Sequence, residues 1–224
     1  YWSAPFWVGS HYGAFLFRNF RMAKIHGLLE QYSKDYKVST YQLNAPSPTE
    51  RGETAVMTSL NKAFAEIGRP VTVTAGKYTF TNIVGANKVF GTPKADIALV
   101  QWNPATRTFK DVCFISHKMG SAAKDFQQYS GISTTADGKK AGAISRDPAV
   151  VEFLQAISSK PIYNAIVKDK KRFAQIVRSP KLIGKAVYGP EFGSSQYGTD
   201  NIHLIGQGDA VLTKKGAGAW SMSF

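Results

Sequence analysis

A carboxylate and an ammonium stand at the two ends of a predicted β-hairpin. Asp96 opens one apolar run of strand type, Ser116-His117-Lys118 closes the next, and the turn sequence Asn103-Pro104-Ala105-Thr106 joins the two runs. Because an antiparallel hairpin brings its first and last residues side by side, we expect Asp96 to lie roughly opposite Phe114, close to Ser116 and Lys118. Hydrolysis of a phosphodiester needs a metal held by carboxylates and a cation for the developing negative charge. The pattern therefore predicts a metal-dependent phosphodiesterase site.

The hairpin alone does not supply a full set of metal ligands. Magnesium prefers oxygen ligands and usually takes only one or two protein carboxylates. Asp96 supplies one, but Ser116 stands where a second would be most useful. The backbone carbonyl of His117 is a further oxygen donor. Lys118 shares a strand face with Ser116, so it could orient or deprotonate the attacking water or stabilise the transition state. We expect Mg²⁺ to be the metal, with Mn²⁺ as a substitute.

A second carboxylate is expected from a helix upstream of the hairpin. Ser47 is the predicted N-cap, Pro48 fits the first helical position, and Glu50 follows three residues after the cap. The helix should end at about Ile67. Its apolar stripe also carries Glu53 at helical spacing, which directs this side chain toward the sheet. Glu53 is therefore the best candidate for the second metal ligand.

The combination of Glu53, Asp96, Ser116 and Lys118 resembles the PD-(D/E)xK nuclease superfamily, which has the restriction-endonuclease-like fold. In that family a helix with a glutamate precedes a sheet, an Asp begins one core strand, and an acid-x-Lys motif ends the next. Ser116 stands at the position of the strand acid, as in some nucleases encoded by bacteriophages. The resemblance implies a magnesium-dependent enzyme that cleaves DNA, more as an endonuclease than as an exonuclease.

The resemblance also implies an α/β fold with a mixed central sheet flanked by helices. After the lysine, the sequence Lys124-Asp125-Phe126-Gln127-Gln128-Tyr129 looks like the glutamine-bearing helix that some family members place over the site. By this resemblance Gln128 would contact the scissile region or the water. Ala95 replaces the proline of the family motif.

The chain is expected to consist of an extension and one nuclease domain. Residues 1–46 form an aromatic N-terminal arm or helical extension, and residues 47–224 form the domain. Within it we expect a core at 47–131, a basic helical part at 145–187, and a closing strand and tail at 200–224. Strands are predicted at 71–74, 78–83 and 202–204, with a break at 87–91. The basic part supplies the residues expected to grip the DNA backbone: Lys168, Lys170, Lys171, Arg172, Arg178 and Lys181.

The composition favours a polyanionic partner. Of the 224 residues, 28 are Lys or Arg and 15 are Asp or Glu, a net charge of +13. Such an excess usually indicates nucleic acid, here DNA with RNA not excluded. No apolar run predicts a membrane span, and no membrane partner is expected. Cys113 is the only cysteine, which favours a reducing compartment such as the cytoplasm. If a phage encodes the protein, this would be the cytoplasm of the host cell, or the protein could be part of the virion. A homo-oligomer remains possible.

Each candidate also has a simpler interpretation. Asp96 could be a turn residue, Lys118 could extend from a sheet edge into solvent, and Glu53 could favour the first turn of its helix through the helix dipole. Gln128 could face water, and the basic run could be a solvated helix face. The alternative function is therefore a nucleic-acid-binding or virion structural protein without catalysis. A third possibility is an anionic-membrane protein or an assembly protein.

Overall fold

The computed structural model describes residues 24–90, 95–120 and 201–224, together with Pro148. Several residues predicted to contact DNA or water lie outside the described residues: Gln128, Lys168, Lys170, Lys171, Arg172, Arg178 and Lys181.

Two helices precede the first strand. Helix α1 covers 24–35 within the described residues, and helix α2 spans Arg51–Ile67. The predicted end of α2 is confirmed: Gly68 takes a left-handed conformation (φ 69°) and its N–H donates to the Phe64 carbonyl at 3.0 Å. As far as the described residues extend, neither helix has the length and apolar character needed to cross a bilayer.

The predicted start of α2 is wrong. Ser47 does not cap the helix, because residues 47–50 form a separate turn in which the Glu50 N–H donates to the Ser47 carbonyl at 3.0 Å. The Glu50 carboxylate accepts a hydrogen bond from the Ser47 N–H. Glu50 is thus the N-cap residue, without a side-chain cap of the first turn, and the helix begins at Arg51.

Within the described residues, seven strands form one mixed sheet in the order β5-β4-β3-β2-β1-β7-β6. Their bounds are Val71–Ala75 (β1), Tyr78–Lys88 (β2), Ile97–Asn103 (β3), Thr108–Lys118 (β4), Leu204–Gln207 (β5), Val211–Gly216 (β6) and Ala219–Ser223 (β7). The pairs β1–β2 and β6–β7 are antiparallel, whereas β1–β7 and β4–β5 are parallel. The expected α/β architecture with a mixed sheet and helices is confirmed at this level.

The predicted β3–β4 hairpin is present. Its turn is closed by the Asn103 side chain, whose oxygen accepts hydrogen bonds from the backbone N–H groups of Ala105 at 3.0 Å and Thr106 at 3.3 Å. Asn commonly stabilises a turn in this way, through its own downstream backbone.

Three of the strand predictions need correction. The closing strand predicted at 202–204 is Leu204–Gln207 in the structure. The break predicted at 87–91 begins too early, because β2 continues to Lys88 and its last residues are buried. The tail predicted after the closing strand contains two further strands, β6 and β7, joined at Gly218 (φ 75°). The alternation of apolar and polar residues along β6 is weak, since both of its faces are largely exposed.

A buried asparagine fixes α2 on β2. The inner face of α2 carries Val56, Met57, Leu60 and Phe64, all buried. Asn61 lies among them, and its amide both donates to the Ala86 carbonyl and accepts from the Ala86 N–H, each at 2.8 Å. This reciprocal pair satisfies the buried amide on both sides. It also fixes the position of α2 along the strand.

The chain divides into two compact units. The first comprises the described residues up to Lys88, with Ala98–Val112 and Asp209–Ser223. The second comprises the described parts of Val89–Ile97 and Cys113–Gly208, with Phe224. Glu53 belongs to the first unit, and Asp96, Ser116 and Lys118 belong to the second.

Candidate active site

The backbone around Asp96 is held on both sides within the second unit. Asp96 lies directly before β3, and its N–H donates to the Ile115 carbonyl at 2.9 Å. Its own carbonyl accepts from the Val89 N–H at 3.0 Å. Asp96 is therefore next to Ile115, one residue from the position predicted opposite Phe114. The hairpin brings Asp96 to the end of β4, as expected.

The Asp96 carboxylate is oriented by two neutral donors from the end of β4. Its Oδ2 accepts a hydrogen bond from the His117 backbone N–H at 2.7 Å and a longer one from the Ser116 hydroxyl at 3.4 Å. Ser116 is fully buried. Both bonds use Oδ2, so within the described residues the lone pairs of Oδ1 are available to another ligand. The arrangement orients the carboxylate and leaves its charge in place.

Lys118 is the last residue of β4 and is half-buried. Because side chains alternate along a strand, Lys118 shares the face of Ser116, the residue whose hydroxyl reaches Asp96. The end of β4 thus contacts Asp96 through the Ser116 hydroxyl and the His117 N–H, and Lys118 follows on the same face as Ser116. The grouping of the Lys118 ammonium with the Asp96 carboxylate stays a prediction.

The His117 side chain points to the opposite face. Its Nε2 lies 2.9 Å from the Gly208 carbonyl, and its ring centroid lies 6.3 Å from that of Phe224. Since a carbonyl can only accept, Nε2 carries the proton. The residue is 8% exposed. The His117 side chain is therefore a buried structural group, and its backbone N–H is the part that touches Asp96.

Glu53 pairs with a lysine that the sequence did not single out. Its carboxylate accepts a hydrogen bond from Lys88 Nζ, and Glu50 lies 3.3 Å from the same ammonium. The Lys88 side chain is 7% exposed and that of Glu53 18%. Burial by itself lowers the pKa of Lys88, but the hydrogen bonds and charges of Glu53 and Glu50 outweigh it and raise the pKa above its ordinary value. We refer to Glu50, Glu53 and Lys88 as the ion-pair cluster.

No local motif could have revealed Lys88. It lies near the end of β2, in a segment predicted as a break, and 35 residues separate it from Glu53. The partner of Glu53 follows from how α2 sits on β2, which depends on the tertiary contact at Asn61. A sequence prediction that extended β2 as far as Lys88 would have placed this lysine on the strand against which α2 packs.

Asp111, the one acid on β4, accepts a hydrogen bond from a tyrosine. The Tyr41 hydroxyl donates to Asp111, and the Asn87 amide donates to that hydroxyl at 2.9 Å. Burial raises the pKa of Asp111, while the bond from Tyr41 opposes this. Burial and the neighbouring Asp111 also raise the pKa of Tyr41. The network ties the segment before α2 to the sheet and has no place in the candidate site.

The donors around Asp96 fit a magnesium ion that keeps most of its water. Within 24–90, 95–120 and 201–224, no group of three or more His, Cys, Asp or Glu side chains is arranged to hold a metal. Magnesium does not need such a group, because one or two carboxylates with several waters commonly suffice. The Asp96 carboxylate, with Oδ1 available, meets this requirement. A denser cage for zinc or a similar metal is not present in these residues.

The sequence is similar to a restriction enzyme over part of its length. It is 32% identical over 132 residues to the type II restriction enzyme CviJI of Paramecium bursaria Chlorella virus IL3A. The matched region covers 58% of this chain and 33% of that enzyme, so the chain spans about a third of the relative's length. No family model matches the chain, and no solved structure matches it. The similarity is thus to part of a type II restriction enzyme.

Proposed function

We propose that the protein is a magnesium-dependent endonuclease that hydrolyses phosphodiester bonds of DNA. The observation that carries the proposal is the juxtaposition of Asp96, oriented by the end of β4, with the strand that ends at Lys118. The similarity to a type II restriction enzyme supports the same reaction, because such enzymes are DNA endonucleases. The excess of basic residues suits a DNA substrate. Origin in a phage stays a prediction.

Asp96 would hold the magnesium ion through its Oδ1, with the backbone carbonyl of His117 as a second oxygen. Glu53 is the proposed second carboxylate, and it would have to exchange its bond with Lys88 for this role. Ser116 can add a hydroxyl oxygen or act only through its bond to Asp96. The chemistry supplied by the ion when bound is neutralisation of charge on the phosphate as it is attacked.

Lys118 would orient the attacking water and stabilise the negative charge that develops on the phosphate. An ammonium fixed beside the reacting group acts strongly, because it is oriented before the reaction begins. Gln128 is proposed to assist at the water or the scissile bond. The basic residues between Lys168 and Lys181 are proposed to bind the DNA backbone. These residues lie outside the described residues, and their roles rest on the sequence.

The proposal is tested by cleavage of supercoiled plasmid DNA, which detects a single cut. Wild-type protein should cut with Mg²⁺ or Mn²⁺ and should stop when EDTA is added. Lys118→Met should reduce the cleavage rate by about 100-fold to 1,000-fold, the range found when one stabilising donor is removed. Lys215→Met, at an exposed lysine on β6, is the matched control and should cut like the wild type.

The alternative function is nucleic-acid binding without cleavage, and the serine at position 116 favours it. A protein of this kind would bind DNA with a strong dependence on salt but would leave plasmids intact with every divalent metal tested. That result, obtained with correctly folded protein, would overturn the enzymatic proposal. Weak binding that does not respond to salt would overturn both functions.

A further inference from the structure

A surface cleft of about 430 Å³ lies within the first unit, at the C-terminal end of α2. Three parts of the chain line it: the last turns of α2, Arg69 just before β1, and the hairpin formed by β6 and β7. As far as the described residues extend, β6 is the outermost strand on this side of the sheet. The cleft therefore lies at the margin of the sheet, where a long polymer can reach it.

The β6–β7 hairpin gives the cleft an apolar wall with a cation beside it. The antiparallel register pairs Leu212 with Met222 and Lys214 with Trp220. Leu212, Lys214 and Trp220 all line the cleft. Met222 is buried, whereas Leu212 and Trp220 are half-buried. Part of the apolar surface of Leu212 and Trp220 is thus left for a ligand to cover.

The charges that line the cleft favour an anionic ligand. Arg69 and Lys214 are exposed, and among the described residues no side-chain hydrogen bond or ion pair engages either of them. Glu66 is the one acid of the lining, and Lys62 Nζ lies 3.9 Å from its carboxylate. Because both partners of this pair are highly exposed, their attraction is weak. Two cations of the lining thus have no partner of opposite charge in the described residues.

We propose that this cleft contacts the sugar-phosphate backbone of DNA. Arg69 and Lys214 would neutralise phosphates. The side chains of Leu212 and Trp220 would pack against the carbon atoms of a deoxyribose. Phosphate contacts supply much of the affinity of proteins for DNA, and the net charge of +13 suits the same partner. The inference rests on the proposed function for the identity of the partner, and it adds a contact outside the predicted basic part at 145–187.

Two adjacent lysines of β6 test the contact. Lys214 lines the cleft and Lys215 does not, although both are exposed. Lys214→Gln and Lys215→Gln thus remove the same charge at neighbouring positions. Affinity for a fluorescent DNA duplex is measured by anisotropy in EDTA, between about 50 and 200 mM salt. The slope of log affinity against log salt should fall by about one for Lys214→Gln and for Arg69→Gln, and should stay at the wild-type value for Lys215→Gln.

Two adjacent apolar residues of β6 test the wall of the cleft. Since side chains alternate along a strand, Leu212 faces the cleft and Val211, which is 53% exposed, points to the opposite face. Leu212→Glu should weaken the affinity more than Lys214→Gln does, because it sets a carboxylate against the phosphates and removes the apolar contact. Val211→Glu changes the net charge equally and should bind like the wild type. Thermal unfolding midpoints identify any loss caused by unfolding, in which case the lysine pair decides.

The outcomes separate the cleft from the proposed function. Equal salt slopes for Lys214→Gln and Lys215→Gln would overturn the contact, because only total charge would then matter. So would a folded Leu212→Glu variant that binds DNA normally but has an altered mass in sedimentation, since the cleft would then join two copies of the chain. If the wild type binds DNA without cutting it, the proposed function is lost, while the salt slopes in EDTA still decide the cleft. A wild type that does not bind DNA overturns both.

Discussion

Asp96 and Glu53, the two carboxylates assigned to a metal from the sequence, have different surroundings. Asp96 accepts bonds from a backbone N–H and a hydroxyl, both neutral, and both on one oxygen. Glu53 faces the buried ammonium of Lys88. Neutral donors orient a carboxylate and leave its charge to attract a cation, whereas an ammonium already neutralises it. Asp96 is therefore the carboxylate that we propose as the first metal ligand, and Glu53 would have to change partners before it could be the second.

The ion-pair cluster also explains why α2 carries an acid on its inner face. A lysine that is 7% exposed needs opposite charge nearby, because burial of an unpaired ammonium is costly. Glu53 and Glu50 supply this charge, and Glu53 is positioned for it by the packing of α2 on β2. The polar residue on an apolar stripe thus has a structural reason as well as a proposed catalytic one.

The largest expected effect is the loss of DNA cleavage when the charge of Asp96 or Glu53 is removed. Asp96→Asn keeps the shape and an oxygen for the His117 N–H but removes the charge, and cleavage should fall by about 1,000-fold or more. Glu53→Gln should lose less, about 10-fold to 100-fold, because the native Glu53 is already shared with Lys88. Both losses are measured as DNA cleavage rates at saturating Mg²⁺, together with the dependence of each variant's rate on the Mg²⁺ concentration. Equal losses would contradict the difference between the two acids.

Placing an acid at position 116, next to Asp96, tests whether this position can hold a metal. Ser116 is fully buried and its hydroxyl lies 3.4 Å from Asp96 Oδ2, so Ser116→Asp sets two carboxylates against each other. Without metal, the free energy of unfolding should drop by about 3–4 kcal/mol. Mg²⁺ should recover much of this loss, because Asp96 and the new carboxylate at position 116 would both be available to hold it.

The thermal unfolding midpoints of Ser116→Asp and of the wild type, each measured with and without Mg²⁺, test this expectation. Ser116→Ala is the control, and it should cost about 1 kcal/mol or less, since the hydroxyl bond is long. If Mg²⁺ stabilises Ser116→Asp no more than it stabilises the wild type, the idea that the Asp96 site accepts a metal is contradicted.

A smaller effect is expected when the ion-pair cluster loses its cation. Lys88→Met leaves Glu50 and Glu53 facing each other without a counter-charge, and stability at neutral pH should fall by about 2 kcal/mol. Adding Glu53→Gln to Lys88→Met should recover part of the loss, which a double-mutant cycle in denaturant would measure. Lys34→Met is the control, because Lys34 is 71% exposed in its pair with Glu30 and should matter little.

The sequence predicted the hairpin better than the cluster, and the reason is the range of the interactions. Asp96 and the end of β4 meet because one short turn with Asn103 joins two apolar strands, which is a local pattern. The pair of Glu53 with Lys88 depends on how far β2 extends and on where Asn61 docks α2. Neither the end of β2 nor the docking position of α2 follows from a repeating pattern of residue types in the sequence.

The smallest effect concerns the pH range over which the cluster stabilises the fold. Backbone hydrogen bonding from Ser47, together with Lys88, lowers the pKa of Glu50, so its contribution is present above the unfolded value of about 4.3 and is lost as pH falls through the lowered folded value. The pKa of Lys88 is raised, so its contribution is complete below about 10.4 and is lost as pH rises through the raised folded value. The stability difference between wild type and Lys88→Met should therefore be flat between these limits and shrink at both ends. Urea unfolding across this pH range measures it. A difference that peaks sharply near pH 7 would contradict the assignment, because the pKa of Glu50 is lowered and that of Lys88 is raised, both away from neutrality.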